Sequence, residues 1–96
     1  MTETPASAAP APVRTVAGAS PSELILGLDT FGDVTTTPSG ERVSHAQVLR
    51  DVVEQATLAD QLGVDAITLG EHHRDYFALS SPEIALAAIA GKTERI

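Results

Sequence analysis

A chain of 96 residues with a formal charge of −7, from 13 acids against 6 bases, holds at most one domain and clusters no Lys or Arg. That balance is repelled by phosphate backbones and anionic bilayers, which argues against nucleic acid and membrane as partners. Cysteine is absent, which excludes disulfides and thiolate metal sites and fits a reducing compartment such as the cytoplasm.

The first 22 residues, MTETPASAAPAPVRTVAGASPS, are Ala, Pro, Ser and Thr with almost nothing to bury. Such a composition does not offset the entropy of ordering, so a disordered tail is expected over 1–22. It lacks the basic start and apolar stretch of a secretory signal. With only Arg14 against Glu3, it is also a poor transit peptide. No apolar run anywhere approaches the roughly 18–20 residues needed to cross a bilayer.

From residue 23 the character changes. ELILGLDTF (23–31) is a short apolar run that suits a strand buried on both faces. It breaks into GDVTTTPSGERV, where Pro38, Ser39 and Gly40 mark a turn in a surface loop. Ser44 is then a natural N-cap, and Gln47 three positions later completes a capping-box pattern. Leu49, Val52, Val53, Ala56, Leu58, Ala59 and Leu62 recur mainly at spacings of three and four, predicting a helix with one apolar face. Arg50, Asp51, Glu54 and Asp60 fall largely on its other side. Gly63 stands where a left-handed cap is wanted.

After Val64 and Asp65 the run AITL predicts a second strand, parallel to the first in one βαβ unit. That run continues as AITLGEHH, the polar loop RDYFALS follows, and Ser81, Pro82 and Glu83 open a second helix through EIALAAIAGK. TERI reads as the approach to a third strand. Two parallel strands with one helix each leave a sheet edge and an apolar face uncovered. The fold class expected is therefore α/β, with 23–96 incomplete: the opening quarter of a larger α/β protein.

Strand C-terminal ends are where βα loops gather functional groups in α/β folds. Glu71, His72 and His73 lie there after the second strand, and Asp29, Thr30 and Asp33 after the first. Neighbouring strand residues point to opposite faces, so His72 and His73 cannot easily share a metal ion, while Glu71 and His73 can share a face. The remaining histidine, His45, starts the first helix, so no metal site is expected. Proton chemistry suits the pair better, one imidazole entering a pocket while a neighbour or Glu71 fixes its tautomer. The residues alone equally allow polar groups satisfied at a strand end. Tyr76 and Phe77 either line a substrate entrance or pack over the rim.

LGLDTFGD, then SHAQVLRDVVEQATLADQLGVDAITLGEHH, then SSPEIALAAIA and KTERI, in that order, resemble the luciferase-like flavin-dependent monooxygenases. The resemblance covers 23–96. It implies the N-terminal β-α-β-α portion of a (β/α)8 TIM barrel. It also implies reduced flavin at the barrel mouth, FMN or in some members the deazaflavin F420. Oxygen adding to reduced FMN yields the species that oxidises a small organic substrate. By this resemblance His72 is the acid–base group beside the flavin, with His73 and Glu71 ordering the loop and tautomer. Asp29 and Thr30 would border the flavin ring. The implied partners are the substrate, O2 and a flavin reductase, with a homo-oligomeric full-length parent. The family's phosphate grip comes from later strands, so the 96-residue chain alone is expected to be inactive. Two other readings stay open: the start of a metal-dependent barrel hydrolase, and a non-catalytic fragment docking on a partner or intact homologue.

Overall fold

The computed structural model describes residues 24–96; the tail expected over 1–22 lies outside them. The elements run β1 (Gly27–Thr30), α1 (His45–Gln61), β2 (Ala66–Leu69) and α2 (Pro82–Ala90). The two strands pair in parallel with Gly27 opposite Ala66 and Thr30 opposite Leu69. This is the mixed β-α-β-α order that the hydrophobic pattern predicts.

Helix α1 begins as its sequence requires: the Ser44 hydroxyl accepts from the Gln47 N–H. The reciprocal half of the capping box is not made. Gln47 Nε2 donates instead to Asp51 Oδ1 at 2.8 Å, an i,i+4 bond along the helix. Gly63 ends the helix with φ +83, the left-handed conformation that glycine adopts without a Cβ penalty.

Packing corrects the expected stripe. The buried line on α1 is Val48, Val52, Ala56, Ala59 and Asp60, whereas Leu49, Leu58 and Leu62 are exposed. Spacings of four along Val48–Val52–Ala56–Asp60 keep one seam against the sheet and α2, and the leucines flank it. Val52, Ala56 and Ile89 form the core, with Val53, Ile67, Leu69 and Ile96 packed around them. The cluster joins α1, α2 and β2, with no residue of β1 in it.

The first strand accordingly differs from expectation. It is four residues long and mostly exposed rather than buried on both faces. Leu24, Leu26 and Leu28 are 75, 56 and 45 % exposed. A two-stranded sheet covers β1 only on its β2 side, which is the uncovered edge and apolar face anticipated from the element count.

Asp60 also stands against the sequence reading, which placed it on the polar face. Its carboxylate accepts backbone N–H groups of Glu94 (3.1 Å), Arg95 (2.9 Å) and Ile96 (2.9 Å). Those three donors, Glu94 foremost, then Ile96 and Arg95, hold its pKa below the ordinary value despite burial, with the Arg95 charge adding to the effect. Residues 94–96 are thus held by a side chain of α1. At α2, Ser81 occupies the N-cap position but its side chain makes no capping bond. The Ser81 carbonyl accepts from the Ile84 N–H instead, and Pro82 and Glu83 fill the first turn as expected.

Candidate active site at the strand ends

Register decides which side chains share a face. Ile67 and Leu69 of β2 pack into the core, so Ala66 and Thr68 lie on the opposite, open face. Asp29 is paired with Thr68, and the Thr68 hydroxyl donates to Asp29 Oδ1 at 2.7 Å on that open side. One step further, the Gly70 N–H donates to the Thr30 carbonyl at 2.9 Å, which brings Phe31 and Gly70 level. A Cβ on Gly70 would overlap the Phe31 ring. The ring lies where a side chain at position 70 would stand.

His72 continues the Gly70 face and meets that ring. The Phe31 and His72 centroids are 5.4 Å apart at 83°, an edge-to-face contact. Phe77 closes the cluster at 4.6 Å from His72 and 5.5 Å from Phe31. The His72 N–H donates to the Leu79 carbonyl at 3.1 Å. Among the described residues neither ring nitrogen of His72 has a hydrogen-bond partner, and no buried side-chain nitrogen is left unsatisfied, so those nitrogens reach solvent. The half-buried imidazole is held by rings and offers its nitrogens outward.

Glu71 and His73 turn the other way. Their side chains meet at 2.8 Å between Oε2 and Nε2, with His73 67 % and Glu71 56 % exposed. Glu71 therefore orients His73, not His72 as the tautomer argument anticipated. The two imidazoles thus have different partners, His72 the rings of Phe31 and Phe77 and His73 the Glu71 carboxylate. Among the described residues, no group of three or more His, Asp or Glu is placed to hold a metal.

The loops after the two strands are zipped to each other. Gly32 O accepts from Ala78 N–H at 2.8 Å, Tyr76 O from Val34 N–H at 2.8 Å, and Phe31 O from Leu79 N–H at 3.3 Å. Asp33 and Phe77 pair antiparallel at the centre, so Asp33 belongs to the zipper. Gly32 has φ +69, and an added Cβ would sit 3.0 Å from Leu79 Cγ. Leu79 is the largest fully buried side chain. Thr30 spends its hydroxyl here, accepting from the Gly32 N–H at 3.0 Å, a loop-capping role that leaves Asp29 as the first-strand group on the open face. Further out, Arg42 Nη2 and His45 Nε2 donate to the Asp75 carbonyl at 3.0 and 2.7 Å. A carbonyl only accepts, so His45 carries its proton on Nε2. Tyr76 is 52 % exposed and meets Phe77 at 4.9 Å with the rings tilted at 59°, while Phe77 itself lies against His72.

Phe31 and Gly70 were not among the site residues read from sequence. Their signal was available: aligning the strand ends GLDTF and AITLG sets a ring opposite a glycine. A cavity of about 840 Å3 lies elsewhere, between α1 and α2. Leu49, Val53, Leu79, Ile84, Ala85 and Ala88 line it with Arg50, Glu54 and Lys92. It is not lined by any of the histidines or by the open-face groups Asp29 and Thr68.

A model of the luciferase-like monooxygenase family matches residues 30–96, from the last residue of β1 through the Glu71–His73 loop to the end of the chain. The chain belongs to the luciferase-like monooxygenases. No curated protein matches it significantly. Membership makes this an enzyme family of oxidoreductase type. None of the helices among the described residues is long and apolar enough to cross a membrane.

Proposed function

We propose that residues 24–96 form the opening β-α-β-α portion of a (β/α)8 barrel whose mouth binds reduced FMN and uses O2 to oxidise a small organic substrate; the alternative cofactor, F420, would instead exchange hydride with the substrate without O2. The observation that carries this reading is His72. It is presented on the open face at the strand C-terminal ends, half-buried between two phenylalanine rings, with both ring nitrogens accessible, in a chain of this family.

The residues fit a flavin in kind. Phe31 and Phe77 provide flat apolar surface, Asp29 and Thr68 provide polar groups beside it, and His72 provides a proton donor or acceptor. These are the groups that would hold the ring system, with Asp29 and His72 contacting it. The flavin supplies the electrons and the oxygen chemistry when bound. The chain's own work is narrower. His72 gives or takes a proton at an accessible ring nitrogen. Phe31 and Phe77 keep water from its flanks. The backbone bond from His72 to Leu79 and the zipped loops hold the imidazole in place, so little reorganisation accompanies proton transfer. Thr30 and the Glu71–His73 pair stiffen the two loop starts.

Two strands carry one part of a mouth, so weak flavin binding without turnover is the behaviour expected of the 96-residue chain. Fluorescence titration of FMN against the chain and against His72→Ala tests this. Saturable quenching that weakens severalfold in His72→Ala supports the reading. Absent quenching, or equal quenching by both proteins, overturns it.

A further inference from the structure

We propose that Phe31, seated on the bare Cα of Gly70, is a positioning residue that sets the orientation of the His72 imidazole. The inference deepens the flavin-site reading and rests on it. An acid–base histidine is usually oriented through a hydrogen bond to its second ring nitrogen. His72 has no such bond among the described residues, and Glu71, the carboxylate nearest in sequence, is engaged by His73. What remains is the backbone and the rings. The His72 N–H on the Leu79 carbonyl fixes the Cα, leaving the side-chain rotamer to be chosen. Phe31 meets the imidazole edge-to-face at 5.4 Å and Phe77 lies against it at 4.6 Å. Phe31 holds that position only because residue 70 lacks a Cβ, for any side chain there would overlap its ring. Gly70 and Phe31 thus act as one unit: the glycine admits the ring, and the ring turns the histidine so that both nitrogens stay open.

The test is nuclear magnetic resonance of the isotope-labelled 96-residue chain. In the unaltered protein, ring protons of Phe31 show cross-relaxation to the His72 ring, and the His72 ring signals are displaced by the neighbouring rings. Phe31→Leu, which keeps an apolar side chain, removes the cross-relaxation and moves the His72 ring signals, and Phe31→Tyr, which keeps the ring, restores both. The His73 signals stay in place throughout. No cross-relaxation in the unaltered chain overturns the proposal even if the Leu variant fails to fold. Unchanged His72 signals in a folded Phe31→Leu overturn it as well. Adding FMN to the same samples separates the two claims. Unmoved signals at the strand ends contradict the flavin reading. FMN-induced shifts of His72 as large in Phe31→Leu as in the unaltered chain contradict the positioning role, which requires them to fall severalfold and recover in Phe31→Tyr.

Discussion

Glu71 Oε2 and His73 Nε2 lie 2.8 Å apart, and the residue between them faces the other way. The Glu-His-His run is therefore two devices in one segment: an exposed polar pair, and a single imidazole set among aromatic rings.

The polar pair should be separable from His72. Glu71→Gln is expected to move the ring signals of His73 and leave those of His72 within the spread of repeated spectra. With both partners more than half exposed, the change in unfolding free energy should stay below about 1 kcal/mol. Urea denaturation with parallel histidine spectra checks both expectations. A shift of His72 equal to that of His73 would contradict the separation of the two.

Gly32 is the weakest point to alter in the loop zipper. Its φ of +69 and the 3.0 Å approach of an added Cβ to Leu79 Cγ act together. Gly32→Ala should lower stability by about 1–3 kcal/mol through backbone strain and displacement of a buried leucine. Gly40→Ala is the control, with positive φ but open space around it, and should cost less. The comparison is read from two denaturation curves.

Leu79 links core and mouth, because its side chain is 1 % exposed and its carbonyl holds the His72 N–H. Leu79→Ala should cost about 2–5 kcal/mol, as buried leucine truncations do. Hydrogen exchange at the His72 amide should accelerate more than exchange within α1. Uniform acceleration would show that the residue supports only the global fold.

Asp60 gives a pH dependence with a definite sign. Its folded pKa is lowered, chiefly by the Glu94, Ile96 and Arg95 N–H donors. Its contribution is therefore complete above the unfolded carboxylate value, about 3.9, and is lost as pH falls through the lower folded value. Asp60→Asn should melt at lower temperature than the parent at neutral pH, with the gap narrowing as pH falls below about 4. Melting curves from pH 3 to 7 check this. A gap independent of pH would show that the carboxylate charge is not what holds residues 94–96.

The elements were legible because each rests on local chemistry: Ser44 and Gly63 bound α1, Pro82 opens α2, and AITL is a short apolar run between breakers. What escaped the sequence depends on contacts between distant segments. Asp60 reads as a polar-face residue until the three N–H groups of residues 94–96 arrive over it. Leu49, Leu58 and Leu62 match a helical spacing as well as Val48 does, and only the placement of α2 and β2 selects the seam. Phe31 becomes a site residue through Gly70, a partner 39 positions away that contributes by having no side chain. The burial foreseen for β1 required neighbours on both sides, and β2 supplies one.

The central claim is that the open face bearing Asp29, Phe31, Gly70 and His72 meets the flavin. The direct measurement is a residue-resolved titration of the 96-residue chain with FMN, following backbone amides and histidine rings together. The account predicts saturable shifts concentrated at Asp29, Phe31, Gly32, Gly70, His72 and Phe77, with little change at Leu58–Gly63. Shifts centred instead on the Leu49–Val53 and Ile84–Ala88 groove, or none at any flavin concentration, would contradict it.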